Sequence, residues 1–478
     1  MADARLPNII WRPAKDNVSL WGRLSGPFRF REGEAAIGAR FSLQMAGVPE
    51  VASASTPKED ALGLLQLAAE VEHALLVQYL FSALSLDGPA NQTLTSIAVQ
   101  EMGHLVSVQN LLIALHGVDG DGICSKLHLG RDSIRQGSSL NPLRFVLEAI
   151  SHKTLAKYVC VEQPAVIADA ALRARVEALG QEAIEDGVAP HPVSALYSKI
   201  LWLFQPTDDF HTSLNLKPDM GLKSGWHLTP GDFAPAADIA AHASTKGEWG
   251  GYPSLVVDVP GDAASSCALL EKIIAQGEGA LAASGSHFER FLQLLDSLEA
   301  SQLQVRQLPR TPYLPVAGYQ PEDPHATQVT AEYTILWCRY FDLHYEQLLV
   351  DIAWLFALGH SDPRRQELSG LLTSTMSSVL QAIAERLRDL PMTEGGGPGA
   401  GPTYQYMSDD VPAARQAFIT RYATLKDELG KCETAIRASA QYQTCVGGVC
   451  DVLDVDGEVL LDTAQQLAAN RAQLLPQP

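Results

Sequence analysis

Between Leu65 and Ala83 the apolar positions fall at alternating steps of three and four, and Glu72 stands in the middle of the line Leu65, Ala69, Leu76, Tyr79, Ala83. That spacing is the buried stripe of a helix. A second stripe, Leu94, Ile97, Val108, Leu111 and Leu115, carries Glu101 and His104, one turn apart on the same face. A third runs Leu147, Ser151, Leu155, Tyr158, Glu162, on a helix predicted over about 142–161, and a fourth runs Leu270, Ile274, Glu278, Leu281. Four predicted helices thus each aim one glutamate inward. An unpaired buried carboxylate is costly, so it is paired, protonated or bound to metal. Two iron or manganese ions held by carboxylates and imidazoles are one solution in the core of a helical bundle.

The usual dinuclear inventory is a Glu from each of two helices and Glu-x-x-His from each of the other two. Of the four inward-facing glutamates only Glu101 has a histidine at that spacing, His104, and His287 in "SGSHFERF" is the nearest substitute for the second imidazole. The candidate ligands are therefore Glu72, Glu101, His104, Glu162, Glu278 and His287. The reading admits two ions, a single ion, or an empty remnant. A glutamate on an apolar stripe is also compatible with a boundary position that reaches water, and Glu162, before Gln163-Pro164, with a plain helix end. His73 points away from Glu72 and reads as structural or exposed. Gln78, Tyr79 and Tyr158 are candidates for hydrogen bonds to a ligating carboxylate. His211 and His227 are candidate substrate contacts in a pocket over the bundle.

Residues 1–52 alternate aromatic and β-branched with polar residues between glycines, and predict a small β-rich segment. At "STPKED" a helix starts, with Ser55 or Thr56 as cap and Pro57 in the first turn. Residues 56–300 read as a helical bundle interrupted by a Gly-, Pro-, Asp- and Trp-rich excursion over 205–262, long enough to act as a lid. Residues 310–478 read as a helical C-terminal extension. In it Asp342, His344, Glu346 and Asp351 form the predicted solvated acidic face of a packed helix. The net charge of −20 argues against nucleic acid as a partner. No apolar run has the length of a membrane span and no signal peptide is read, so the expectation is a cytoplasmic chain. The seven cysteines, odd in number and mostly isolated, fit reduced thiols; Cys432, Cys445 and Cys450 have no CxxC pair and read as free thiols rather than a zinc site.

"EHALLVQY" and "QEMGH" resemble the corresponding segments of the ferritin-like superfamily. With "YVCVEQP", "IIAQGEGA", "SHFERF" and "LRDLPMTEGGGPGAGPTYQ" they resemble the branch that includes the N-terminal part of iminophenyl-pyruvate dimer synthases of violacein and rebeccamycin biosynthesis. The resemblance covers about residues 57–300 well and 310–410 more loosely. It implies a mainly α fold, a ferritin-like four-helix bundle, and carries the six candidate ligands over as its metal site. The haem-dependent coupling of two imines performed by the full-length synthases is not carried over.

The favoured functional reading is a non-haem di-iron oxidase or oxygenase of secondary metabolism. Its partners would be dioxygen and a small organic substrate, derived in one version from an aromatic amino acid, with a homodimer or a biosynthetic partner enzyme as further associates. The alternatives are a metal-binding or iron-handling protein without an organic substrate, and a metal-free scaffold that assists a biosynthetic enzyme.

Overall fold

The computed structural model describes residues 8–12, 47–120, 122–130, 143–164, 169–187, 192–208, 221–277, 285–316, 323–405, 414–439 and 453–475, with a few single positions between them. Strands β1 (Ile9–Arg12) and β2 (Val48–Val51) pair antiparallel, Ile9 opposite Val51. The chain then enters α1 (Pro57–Ala83). Thr56 caps it by accepting from Glu59 N, and Glu59 reaches back to Ser55 N at 2.7 Å. The cap satisfies amides that the first turn cannot. After a short turn α2 (Gly88–His116) packs against α1, and the two form the spine of a helical bundle.

The third helix starts later than its apolar line predicts. It is α3 (His152–Val161), capped by Ser151, whose hydroxyl accepts from Thr154 N at 3.0 Å. Residues 143–150 are not helical because their backbone groups are engaged elsewhere. Val146 N donates to Gln78 Oε1 at 3.1 Å, Ile150 N to Ser85 Oγ at 2.9 Å, and Leu147 O accepts from Thr311 N at 2.7 Å. Next come α4 (Ala170–Glu182), packed on α3, and the wholly buried α5 (Ser194–Phe204), which lies against α1.

The excursion over 205–262 contains α6 (Ala236–His242) and single 3-10 turns, and where described it is a strap bound to α2. Asn110 Nδ2 donates to Ser244 O at 2.8 Å and to Asp258 O at 2.9 Å, and Ser107 Oγ to Val256 O at 2.8 Å. Helices α7 (Ala263–Gly277), packed on α5, and α8 (His287–Glu299), packed on α3, close the bundle.

Strands β3 (Pro312–Tyr313) and β4 (Thr327–Gln328) lead to a C-terminal layer. It comprises α9 (Glu332–Ala357), α10 (Pro363–Ser374), a π turn (Thr375–Leu380), α11 (Gln381–Asp389), the hairpin β5 (Pro391–Thr393) with β6 (Gly396–Gly399), α12 (Arg415–Ala438) and α13 (Leu453–Leu474). No helix among the described residues is long and apolar enough to cross a membrane.

The acidic face predicted for α9 is not solvated. Asp342, His344, Glu346 and Asp351 are all buried, because residues 403–405, α12 and α13 cover it. Asp342 accepts from Thr403 Oγ1 at 2.7 Å and Gln405 N at 2.9 Å. Asp351 accepts from Arg471 Nε at 2.8 Å, Tyr422 OH at 2.9 Å and Gln347 Nε2 at 3.1 Å. Of the three cysteines read together, Cys432 is a buried thiol, whereas Cys445 and Cys450 lie outside the described residues.

Removing one partner of a buried ion pair leaves the other uncompensated. Arg471→Met is therefore expected to lower the unfolding free energy by roughly 3–5 kcal/mol. Urea denaturation followed by circular dichroism measures the loss, and Asp351→Leu/Arg471→Met is expected to recover much of it.

Candidate metal centre

Glu72 lies in the middle of α1, and Glu101 and His104 in the middle of α2, where the apolar periodicity forces them inward. Glu162 is the C-cap residue of α3, and His287 is the first residue of α8, placed by its cap Ser286. All five are buried, with His287 at 0% exposure and Glu162, the most exposed, at 4%. They converge as two triplets that share Glu101. Glu72, Glu101 and His104 offer ligand atoms within 4.8 Å of one another, and so do Glu101, Glu162 and His287.

The sharing is atom by atom. Glu101 Oε2 lies 2.9 Å from His104 Nδ1, which is also 3.5 Å from Glu72 Oε2. Glu101 Oε1 lies 2.9 Å from His287 Nδ1, which is also 3.6 Å from Glu162 Oε2.

The far side of each ring fixes its tautomer. His104 Nε2 lies 3.0 Å from Gln276 Oε1, and the same amide donates through Nε2 to Ser254 O at 2.7 Å. His287 Nε2 lies 2.9 Å from Gln100 Oε1, an oxygen that also accepts from Arg290. Arginine has no acceptor, so the Gln100 atom facing it is oxygen. Each imidazole therefore donates from Nε2, and in its neutral form presents the bare Nδ1 lone pair to carboxylate oxygens. Acceptor facing acceptor is repulsive unless a proton or a cation lies between. Glu101 Oε1 and His287 Nδ1 are buried, close together, and yet without hydrogen-bond partners. The residues present fit metal: Glu72, Glu101 and His104 could hold one ion, and Glu101, Glu162 and His287 another.

Without a cation, protons carry the charge. Burial opposes a charged His104, but Glu101 and Glu72 outweigh it and push the imidazole up to about 10. Burial and the charge of Glu101 push Glu72 up to about 7. Burial works against the charge on Glu101 too, but His287 and His104 hold its carboxyl well below the usual range. Burial and Glu101 raise Glu162. His287 is raised by Glu101 and Glu162 against its burial. Its place at the start of α8 favours the neutral ring, since the positive end of a helix disfavours imidazolium.

The remaining sequence candidates divide. Tyr79 OH donates to Glu162 Oε1 at 2.6 Å, as a supporting phenol should. Tyr158 instead bonds Ser82 Oγ at 2.7 Å, and Gln78 accepts from the backbone of Val146, so neither hydrogen-bonds a carboxylate of the cluster. His227 lies between Trp202 O at 2.8 Å and Asp208 at 2.6 Å, a contact that anchors the strap. His73 is buried and bonds Tyr345 OH at 2.5 Å. Glu278 and His211 lie outside the described residues. The sequence reading missed Tyr197, which donates to Glu72, and the amides Gln100 and Gln276. Their one signal is position: Gln100 adjoins Glu101 and Tyr197 sits within an apolar helix.

Glu101 and Glu72 favour the protonated form of His104 when metal is absent, so metal binding there competes with that proton. Titration with Mn(II) in buffers of different ionisation enthalpy is expected to show proton release near pH 7, and apparent affinity falling as pH is lowered from about 8 to 6. Gly277 borders Glu162 so closely that an added Cβ would stand 3.2 Å from Oε2. Gly277→Ala is expected to weaken the ion shared by Glu162 and His287 while sparing the other, read as bound metal falling from about two to about one per chain.

No curated protein matches this chain. A solved structure of a ferritin-like protein from Caulobacter vibrioides is 14% identical, covers 74% of this chain and 99% of its own, and gives a TM-score of 0.35. The Ferritin-like family model matches residues 65–296. That span carries all five converging side chains, and over it the chain is similar to the ferritin-like family.

Proposed function

We propose that this protein is a non-haem di-iron oxidase or oxygenase acting on a small organic substrate. The observation that supports it is the division of Glu101 between two carboxylate–imidazole sets in a dry core. Glu72, Glu101 and His104 would hold one ion, and Glu101, Glu162 and His287 the second. Bound there, iron supplies redox chemistry with dioxygen.

The chain's own residues do the rest. Gln276 and Gln100 hold the imidazoles with Nδ1 inward. Tyr197 and Tyr79 donate to the outer oxygens of Glu72 and Glu162, which leaves the other oxygen of each for the ion. Leu75, Val193, Ile273 and Ile274 wall the cluster with hydrocarbon and exclude bulk water.

The space beside the cluster is about 20 Å³, room for a molecule of the size of water. An organic substrate therefore requires movement of the wall formed by Val193, Ile273 and Ile274. The substrate part of the proposal rests on the sequence resemblance to the ferritin-like portion of the iminophenyl-pyruvate dimer synthases. The same tightness favours a second reading, a metal-binding or iron-handling protein with no organic substrate.

Anaerobic loading with Fe(II) separates these readings. About two irons per chain are expected, with Glu101→Ala losing both and Glu72→Ala losing one preferentially. Admission of dioxygen should then give a new near-ultraviolet absorption. Dioxygen uptake that aromatic amines or imines accelerate supports the oxidase. Uptake indifferent to them supports iron handling, and retention of two irons by Glu101→Ala sinks the shared-carboxylate reading.

A further inference from the structure

Consecutive residues of the α1–α2 pair open onto two different spaces. Glu72 and Glu101 face the small space walled by α5 and α7, whereas His73 and Met102 line a much larger cavity of about 580 Å³. The second cavity is closed on its other side by α9, α10, the π turn and α11. Volumes of several hundred Å³ are those of small-molecule sites. A void of this size between two packed layers forgoes contacts that filling it would give.

Its lining defines a ligand class. Phe341, Tyr345 and Tyr404 form an aromatic cluster along one wall, with Tyr404 edge-on to both of the others at 4.9 and 5.0 Å between ring centroids. Leu349 and Met376 are only half-buried although they lie within the fold, because they face the void. A methionine wall adapts to the shape of its occupant. At the edge Asp87 and Arg388 neutralise each other, and the exposed carboxylate of Glu385 at the mouth accepts from Gln381 Nε2 at 3.0 Å. Asp87 accepts from Arg388 at 3.1 Å and from Arg306 at 3.0 Å. A ligand therefore meets apolar and aromatic surface and no uncompensated charge from this pair.

The backbone gives a second, independent observation. The wall includes Met376, Ser377 and Leu380 of the π turn Thr375–Leu380. Single π turns inside helices are rare and concentrate at functional sites. This one continues into α11, where exposed Gln381 and Glu385 line the cavity where it reaches the surface.

We propose that this cavity is a binding site for a neutral, largely aromatic small molecule, separate from the metal cluster and entered past Ser377, Gln381 and Glu385. It does not depend on the ions, since none of the five converging Glu and His side chains lines it.

The test uses the full chain without metal, titrated with 1-naphthol and with 1-naphthoate at neutral pH and followed by fluorescence. Saturable binding of one naphthol per chain is expected, with the naphthoate anion weaker by about tenfold or more. Leu349→Trp and Met376→Trp, which fill the cavity from α9 and from the π turn, should each weaken naphthol by about tenfold or more, while each variant loaded separately with Mn(II) takes up as much metal as the parent. Glu101→Ala, which removes the metal centre, should bind naphthol like the parent, so failure of the metal reading leaves this result readable. The proposal is overturned by absence of saturable naphthol binding, by naphthoate binding as tightly, or by undiminished binding in both filled variants. The comparison of the two probes on the parent chain decides the matter even where a filled variant does not fold.

Discussion

The centre of this molecule depends on positive charge placed between three carboxylates and two imidazoles in a dry core. Charges so close and so far from water interact strongly, and the arrangement is stable only when each negative oxygen meets a proton or a cation. Glu101 is the pivot, with one oxygen beside His104 and the other beside His287. The glutamine amides behind the rings commit both Nε2 atoms, which leaves Nδ1 as the inward atom of each. Tyr197 and Tyr79 complete the frame from outside.

Parts of the chain remote from the ligands help to hold that frame. The strap over 230–258 lies against α2 so tightly that a Cβ on Gly103, between Glu101 and His104, would meet Leu255 Cδ2 at 3.0 Å. The same strap supplies Ser254 O, which holds the Gln276 amide in the orientation His104 requires. Where described, it therefore braces α2 rather than acting as a loose cover. The C-terminal layer approaches the opposite side, with Tyr345 of α9 bonded to His73 next to Glu72.

What the sequence disclosed follows the reach of helical periodicity. Glu72, Glu101 and His104 lie in the middle of long helices, where a regular apolar line states which way each residue points. Glu162 and His287 were recognisable as residue types, but they sit at helix ends, where the period stops and cap chemistry sets direction. The early start predicted for α3 failed for a related reason: distant partners at Gln78, Ser85 and Thr311 hold residues 146–150 out of the helix. Tyr197, Gln100 and Gln276 were silent because a buried amide or phenol reveals its purpose only through a partner far away in sequence. The acids of α9 misled because a charged face looks solvated until residues 403–405, α12 and α13 are known to cover it.

The two halves of the cluster are built on backbones of different stiffness. Glu72, Glu101 and His104 stand on helical turns hydrogen-bonded above and below. Glu162 and His287 stand where α3 ends and α8 begins, so a small swing of either terminus moves its side chain. A set of ligands drawn wholly from helix interiors thus stands beside one that takes two of its three from helix ends, and any change in the spacing of the two sets would be taken up at those ends.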